Sequence, residues 1–276
     1  MSLFDAFSYQ GKRVLVVGGA TGMGAAVAEV VRDGGAEVVV MDRAAVDIDG
    51  VKSIAVNLAE KASIDAAVAE CGGPIHALFS CAGVADGTPG LDRINFIGHR
   101  HMVDLLLAGD MLPAGSAIGF ISSAAGFGWE QNLTRVNEYL DTPDFDSAVA
   151  WSEANGKGAD YLWSKLAVST YVARQAMPLL KKGIRINAIL PGPTNTPLAR
   201  ANADTWLTFG EDYREEVGIE PSTPLEQAYP LVFLCSAAAA GVTGITLVTD
   251  SGYLASGMSG AFQPAADAVG FFRLEF

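Results

Sequence analysis

The sequence predicts a doubly wound α/β fold built on a seven-stranded parallel sheet with helices on both faces. Three observations carry this expectation. Seven short apolar, β-branched runs recur along the chain. Longer Ala-rich stretches of helical length and spacing separate them, as crossover connections between parallel strands require. The runs are apolar almost throughout, the pattern of strands buried on both faces. No internal repeat or low-complexity linker divides the 276 residues, so we expect residues 1–276 to form a single domain. A chain of this length, 50% hydrophobic and 18% charged, can bury a large core without disulfides or metals.

The first run, Arg13–Val17, leads straight into Val17-Gly18-Gly19-Ala20-Thr21-Gly22-Met23-Gly24. Glycines allow a tight turn and close approach of the backbone to a ligand. The helical stretch that follows, Gly24–Arg32, would point free amides and the positive end of its dipole at a pyrophosphate. Thr21 and Met23 sit in that turn beside Gly18, Gly22 and Gly24. The spacing reads as Gly18-xxx-Gly22-x-Gly24, or less well as Gly19-xx-Gly22-xx-Ala25.

The second run, Glu37–Met41, ends at Asp42, about 20 residues beyond the turn, where a ribose-binding acid belongs. A carboxylate there accepts from ribose hydroxyls and repels a 2′-phosphate, which predicts NAD over NADP. Arg43 follows and would favour the phosphate. Asp42 carries more weight, because the glycine turn holds no Lys or Arg. An ordinary polar strand end would read the same in isolation.

Five further runs complete the sheet: Ser53–Val56, Ala77–Phe79, Ala117–Ile121, Arg185–Leu190 and Ile245–Val248, with Ile64–Glu70 among the helical stretches between. Two segments break the rhythm. Gly126–Lys157 is polar and acidic, with Trp129 and Trp151 embedded, and Thr196–Pro224 carries Trp206 and Phe209. Long insertions in a regular α/β chain often serve as lids or interfaces, although a tolerated surface excursion reads the same. We expect both to flank the mouth of a substrate pocket, with these aromatics as candidate lining. The Gly257–Phe276 tail ends in the apolar cluster Phe271-Phe272-Arg273-Leu274-Glu275-Phe276, which predicts a buried subunit contact, or else a tail folded back on its own chain.

Tyr161-Leu162-Trp163-Ser164-Lys165 opens an apolar helical stretch, and residues four apart share one helix face. A free tyrosine, with a pKa of about 10, is a poor base at neutral pH. A neighbouring ammonium, and the positive charge of an oxidised nicotinamide, would lower that pKa and make the phenol a usable proton carrier.

With these motifs in place, the chain resembles the short-chain dehydrogenase/reductase family in its compact form, over Lys12 to Tyr253. The resemblance implies a Rossmann fold, a nicotinamide cofactor and alcohol–ketone interconversion. It places the cofactor turn on Gly18, Gly22 and Gly24, and the adenine-contacting pair on Asn57-Leu58. The segment after the fourth strand is Ser80-Cys81-Ala82-Gly83 where the family has Asn-Asn-Ala-Gly, which predicts a less rigid turn. Asn95, Ser123, Tyr161 and Lys165 take the catalytic positions. Ser123 would stabilise charge on the reacting oxygen, Tyr161 would move the proton, Lys165 would tune Tyr161 and hold the ribose, and Asn95 would order a water leading from Lys165. Ser122 is the rival for the serine role, since strand alternation sends the two to opposite faces. Pro191-Gly192-Pro193-Thr194-Asn195-Thr196 matches the family's nicotinamide-holding segment, with Thr194 and Thr196 in that role. The long gap between Ser123 and Tyr161, together with Thr194–Leu198 and the C-terminal portion, is similar to bacterial 3α-hydroxysteroid dehydrogenase/carbonyl reductases and implies an apolar cyclic or steroid-like substrate. The family usually forms homo-oligomers, here a dimer or tetramer.

Composition narrows the field. The formal charge of −13 argues against nucleic acid and anionic membrane as partners. Three cysteines, Cys71, Cys81 and Cys235, form neither a disulfide framework nor a zinc-ligand pattern, and His99-x-His101 alone makes a poor metal site, so no metal is expected. No secretory signal is visible and no apolar run reaches the roughly 20 residues of a membrane span, so we expect a cytoplasmic protein. Two other readings stand beside a dehydrogenase. A non-turnover dinucleotide-binding regulator is disfavoured by the intact Asn95, Ser123, Tyr161 and Lys165. A nucleotide-sugar epimerase or dehydratase is disfavoured by the lack of room for a second domain.

Overall fold

A computed structural model describes residues 2–276. Seven parallel strands form one sheet in the order β3-β2-β1-β4-β5-β6-β7. They are β1 Arg13–Val17, β2 Glu37–Asp42, β3 Lys52–Ala55, β4 Ala77–Ser80, β5 Ala117–Ile121, β6 Arg185–Pro191 and β7 Thr246–Thr249. Each lies within a residue of its expected run at both ends.

Alternation along the strands divides the core between the two faces. Leu15 and Val17 of β1, with Val39 and Met41 of β2, bury one face. Val14 and Val16, with Val38 and Val40, bury the other. On the first face the Lys61–Cys71, Gly98–Ala108 and Tyr161–Leu180 helices cover the sheet, and on the second the Gly22–Asp33 and Pro224–Cys235 helices do. The chain winds outward through β2 and β3, then crosses back to place β4 beside β1. That reversal opens a crevice at the carboxyl ends of β1 and β4, where this architecture receives ligands.

The two irregular-looking segments are largely helical. Within 126–157 the chain forms a short turn, Trp129–Asn132, then helices Leu133–Leu140 and Phe145–Ala154. Trp151 stacks on Trp163 of the long helix, near parallel at 5.7 Å, and Tyr139 packs against Trp163 at a tilt. Polar outward faces hid this packing from a reading of hydrophobic runs. Residues 196–224 form three short helices, Pro197–Ala201, Ala203–Trp206 and Glu211–Val217.

The tail folds over its own chain, one of the two arrangements expected of it, as helices Tyr253–Ser259 and Ala265–Phe272. Leu254, Ala265, Val269 and Phe272 pack with Ala124 into a third apolar cluster that Phe209 and Tyr213 join. Among the described residues, no helix is long and apolar enough to cross a membrane.

Candidate active site

Because every strand runs the same way, the ends of β1, β4, β5 and β6 meet at one edge of the sheet. Two adjoining cavities open there. The first, of about 510 Å³, is bordered by Gly18 and the Thr21–Gly24 turn. Asp42 and Arg43 close one end with Asn57 and Leu58, and Cys81, Ala82 and Gly83 form the opposite wall. Every cofactor position expected from β1 to β4 therefore lines one cleft.

The glycine turn explains itself sterically. Gly18 has φ +83°, and a Cβ there would lie 2.3 Å from the Ala82 nitrogen. A Cβ on Gly24 would sit 2.0 Å from the Gly18 carbonyl oxygen. The spacing Gly18-xxx-Gly22-x-Gly24 is thus the one the backbone uses. Thr21 makes no side-chain cap to the Gly22–Asp33 helix, which leaves first-turn amides facing the cleft. Across the cleft from Gly22 stands the Thr196 side chain, 3.4 Å from where a Cβ on that glycine would lie. This is a cradle that fits a dinucleotide pyrophosphate. The Asp42 carboxylate accepts from the Ala20 and Ala44 amides, each at 2.9 Å, so it pins the glycine turn while bordering the cleft.

The second cavity, about 520 Å³, shares Met23, Cys81, Gly83, Thr196 and Leu198 with the first. Ser123, Tyr161 and Lys165 line it, as do Pro191, Gly192 and Thr194. Ser122 also borders this cavity, but its hydroxyl is engaged behind it: it donates to the Lys165 carbonyl at 3.1 Å and lies 3.1 Å from the Ser169 hydroxyl. Ser123 instead opens a short turn, its Oγ accepting from the Ala125 amide.

Tyr161 begins the long helix, so Lys165 lies one turn on, its Nζ 5.4 Å from the phenol ring centre and donating to the Ile121 carbonyl at 3.3 Å. Burial decides the charge states of both. It pushes Tyr161 up to about 12, opposed by the Ser123 hydroxyl beside it and assisted by the Asp86 carboxylate. It pulls Lys165 down to about 8. In the protein alone, desolvation therefore outweighs the ammonium expected to lower the phenol pKa.

Asn95 stands behind this pair. It lies in a wide helical turn, Arg93–Ile97, and its carboxamide is fully engaged. Oδ1 accepts from the Val84 amide at 2.8 Å, and Nδ2 donates to the Val84 carbonyl and to the Ser164 hydroxyl. Its Oδ1 and the Lys165 Nζ both lie within 3.6 Å of the position a Cβ on Gly83 would take. The turn after β4 is thereby tied down despite lacking the amide side chains expected of it.

Two residues border the site in ways the sequence did not indicate: His99, weighed there only as a metal ligand, and Asp86. His99 is buried, and its Nε2–H donates to the Ala82 carbonyl at 3.1 Å. Burial pulls its pKa to about 4, so the ring stays neutral. His101 goes elsewhere, to Asp65 at 2.7 Å, so the two histidines share no ligand. Asp86 accepts from the Tyr161 amide at 2.8 Å across 75 residues of sequence and lines the second cavity. No local signal marks it, whereas Asp160, which caps the same helix through the Trp163 amide, follows the ordinary rule for helix starts. The aromatic lining is half as expected. Trp206 lies 5.1 Å from the Tyr161 ring and Phe209 borders the cavity, but Trp129 and Trp151 pack away from it.

Comparison with known proteins agrees with this geometry. Residues 146–254 match the family model described as enoyl-(acyl carrier protein) reductase. The chain is 30% identical over 264 residues to cis-4-hydroxycyclohexanecarboxylate dehydrogenase of Sinomonas cyclohexanicum, covering 88% of this chain and 97% of that one. It belongs to the short-chain dehydrogenase/reductase family. The 3-alpha-hydroxysteroid dehydrogenase/carbonyl reductase of Comamonas testosteroni is 28% identical over 248 residues, 87% of this chain and 95% of that one. Among solved structures, the 3-alpha-hydroxysteroid dehydrogenase of Pseudomonas sp. B-0831, complexed with NADH, superposes with a TM-score of 0.71 at 26% identity, covering 88% of this chain and 97% of that one. As a short-chain dehydrogenase/reductase, the protein is a nicotinamide-dependent oxidoreductase of alcohols and ketones.

Proposed function

We propose that the protein transfers hydride between NAD and an apolar, cyclic secondary alcohol or its ketone. One observation carries the reading. Ser123, Tyr161 and Lys165 converge in one mainly apolar cavity that opens onto the dinucleotide cleft. A nicotinamide held in the cleft would supply or take the hydride, and the protein would supply position and electrostatics.

In this reading Ser123 holds the substrate oxygen and Tyr161 exchanges the proton with it. Lys165 holds a positive charge beneath the phenol, and Asn95 fixes the turn against which Lys165 rests. Thr194 and Thr196 hold the nicotinamide carboxamide. The preference for NAD rests on Asp42, whose carboxylate borders the cleft and is held by the Ala20 and Ala44 amides.

The substrate class follows from the wall chemistry. Trp206, Phe209, Phe271 and Phe272 are apolar. Among the described residues, Lys165 is the one basic group lining this cavity, and Asp86 adds a carboxylate near its mouth. A substrate carboxylate would find no cationic partner beyond the catalytic lysine, so we expect a neutral ring alcohol.

The test is absorbance of the reduced nicotinamide during incubation with secondary alcohols and steroids. Tyr161→Phe should keep cofactor affinity and lower kcat about a thousandfold, because the ring still fills its place but moves no proton. A near-normal kcat in that variant would sink the mechanism. We further read the protein as a cytoplasmic homo-oligomer, supported by exposed Met177 and Leu180 at the end of the long helix. Light scattering that finds a monomer at micromolar concentration overturns that part alone.

A further inference from the structure

The 126–157 insertion and the C-terminal tail are far apart in sequence and joined in space. Asn132, buried at 4% exposure, bonds the tail backbone in both directions. Its Nδ2–H donates to the Leu274 carbonyl at 3.0 Å, and its Oδ1 accepts from the Phe276 amide at 2.7 Å. The Arg135 guanidinium donates to the Phe276 carbonyl at 3.4 Å, and the Arg273 guanidinium lies 5.4 Å from the Phe127 ring centre. Gly128, at φ +72°, lets the two backbones touch: a Cβ there would lie 2.1 Å from the Phe272 carbonyl oxygen. The residues fastened this way directly follow Phe271 and Phe272, which line the second cavity. Phe272 meets Phe209 at 5.9 Å, and Phe271 meets Phe276 at 5.5 Å.

We propose that Asn132 is a positioning residue for substrate selectivity: it latches the C-terminal tail so that Phe271 and Phe272 form one apolar wall of the substrate pocket. The insertion then serves the site through the tail. It begins three residues after Ser123, so the latch and the reacting centre share one stretch of backbone. The geometry favours a latch over simple packing. A carboxamide that both donates to and accepts from one backbone segment fixes that segment's register, which apolar contact alone does not. Small alcohols do not need the wall, whereas a ring that fills the cavity does.

This inference rests on the alcohol oxidation proposed above. The experiment compares the wild type with Asn132→Ala, using propan-2-ol and a bulky cyclic secondary alcohol. Asn132→Ala should raise KM for the cyclic alcohol about tenfold, the loss of a few methylene-sized contacts, and leave kcat for propan-2-ol and NAD affinity unchanged. Asn132→Asp keeps the acceptor and loses the donor, so it should fall between. In a Phe271→Ala/Phe272→Ala background, adding Asn132→Ala should change KM no further, because the wall through which it acts is gone. Equal changes for both alcohols, or additive effects in the combined variant, overturn the proposal. If Asn132→Ala does not fold, removing Glu275 and Phe276 breaks one of the two bonds, that from the Phe276 amide, and should raise KM for the cyclic alcohol alone by a smaller factor; no such selective rise overturns the proposal. If the wild type oxidises neither alcohol, the functional reading has failed separately. Hydrogen exchange then judges the latch: faster exchange across 271–274 in Asn132→Ala upholds it, and unchanged exchange overturns it.

Discussion

Lys165 is expected to weaken the fold it serves, and replacing it measures by how much. The side chain is 4% exposed, and burial lowers its pKa from the ordinary 10.5 to about 8. At about 1.4 kcal/mol for each tenfold change, this displacement corresponds to about 3 kcal/mol of destabilisation while the amine is charged. The sign follows from proton counting. Below pH 8 both folded and unfolded chains carry the proton, and the folded state bears the whole penalty. As pH rises from about 8 toward 10.5, the folded chain releases its proton first, and the penalty fades. Lys165→Met keeps most of the stem and removes the charge. It also removes the donor to the Ile121 carbonyl, which costs about 1 kcal/mol. The net gain at pH 7 is about 2 kcal/mol, or a Tm rise of roughly 5 °C for a chain of this size. By pH 10 most of that gain should be gone. Thermal melts by circular dichroism at pH 7 and pH 10, without cofactor, measure both quantities. A variant that melts lower than wild type at pH 7, or a gain that does not change with pH, refutes the argument. Turnover should be lost in either case, as expected where a site keeps a strained charge for function.

The remaining predictions concern specificity and pH. Asp42→Ala should narrow the preference for NAD over NADP by about tenfold in kcat/KM, since one like-charge contact with the 2′-phosphate is removed. A wild type that already prefers NADP would mean that Arg43 governs this end of the cleft. Asp86→Asn should shift the pH–rate curve for alcohol oxidation to lower pH, because the Asp86 carboxylate raises the Tyr161 pKa. An unmoved curve would show that Asp86 acts only as a cap. In the wild type, kcat/KM for ketone reduction should decline above a pH of about 8, as Lys165 loses its charge. A profile flat to pH 10 contradicts this.

What the sequence revealed follows the reach of each signal. The strands were legible because burial on both faces makes them apolar throughout, as in Val14–Val17 and Val38–Met41. The glycine turn and the Tyr161/Lys165 pair were legible because local spacing fixes their geometry. The latch was not: Asn132 meets residues more than 140 positions away, and nothing near it in sequence marks that role. The helices within 126–157 were missed because their apolar residues face the Trp163 side of the long helix, leaving outward faces that read as loop. The tail's apolar cluster was visible, but composition does not say which surface covers it.

The charge states argue for a site that is completed by its ligand. In the protein alone, burial holds Tyr161 as a phenol with a pKa near 12. The amine of Lys165, near 8, is still mostly charged at neutral pH. Environments that push two neighbouring groups in these directions leave the phenol a poor base and the lysine a costly cation. A second positive charge near the phenol would lower its pKa, and an oxidised nicotinamide held in the adjoining cleft would bring one. On the proposed mechanism, proton acceptance by Tyr161 would therefore be coupled to cofactor occupancy. On that mechanism the protein alone avoids holding a buried phenolate, and the Ser123 hydroxyl, beside the phenol, would share the substrate oxygen.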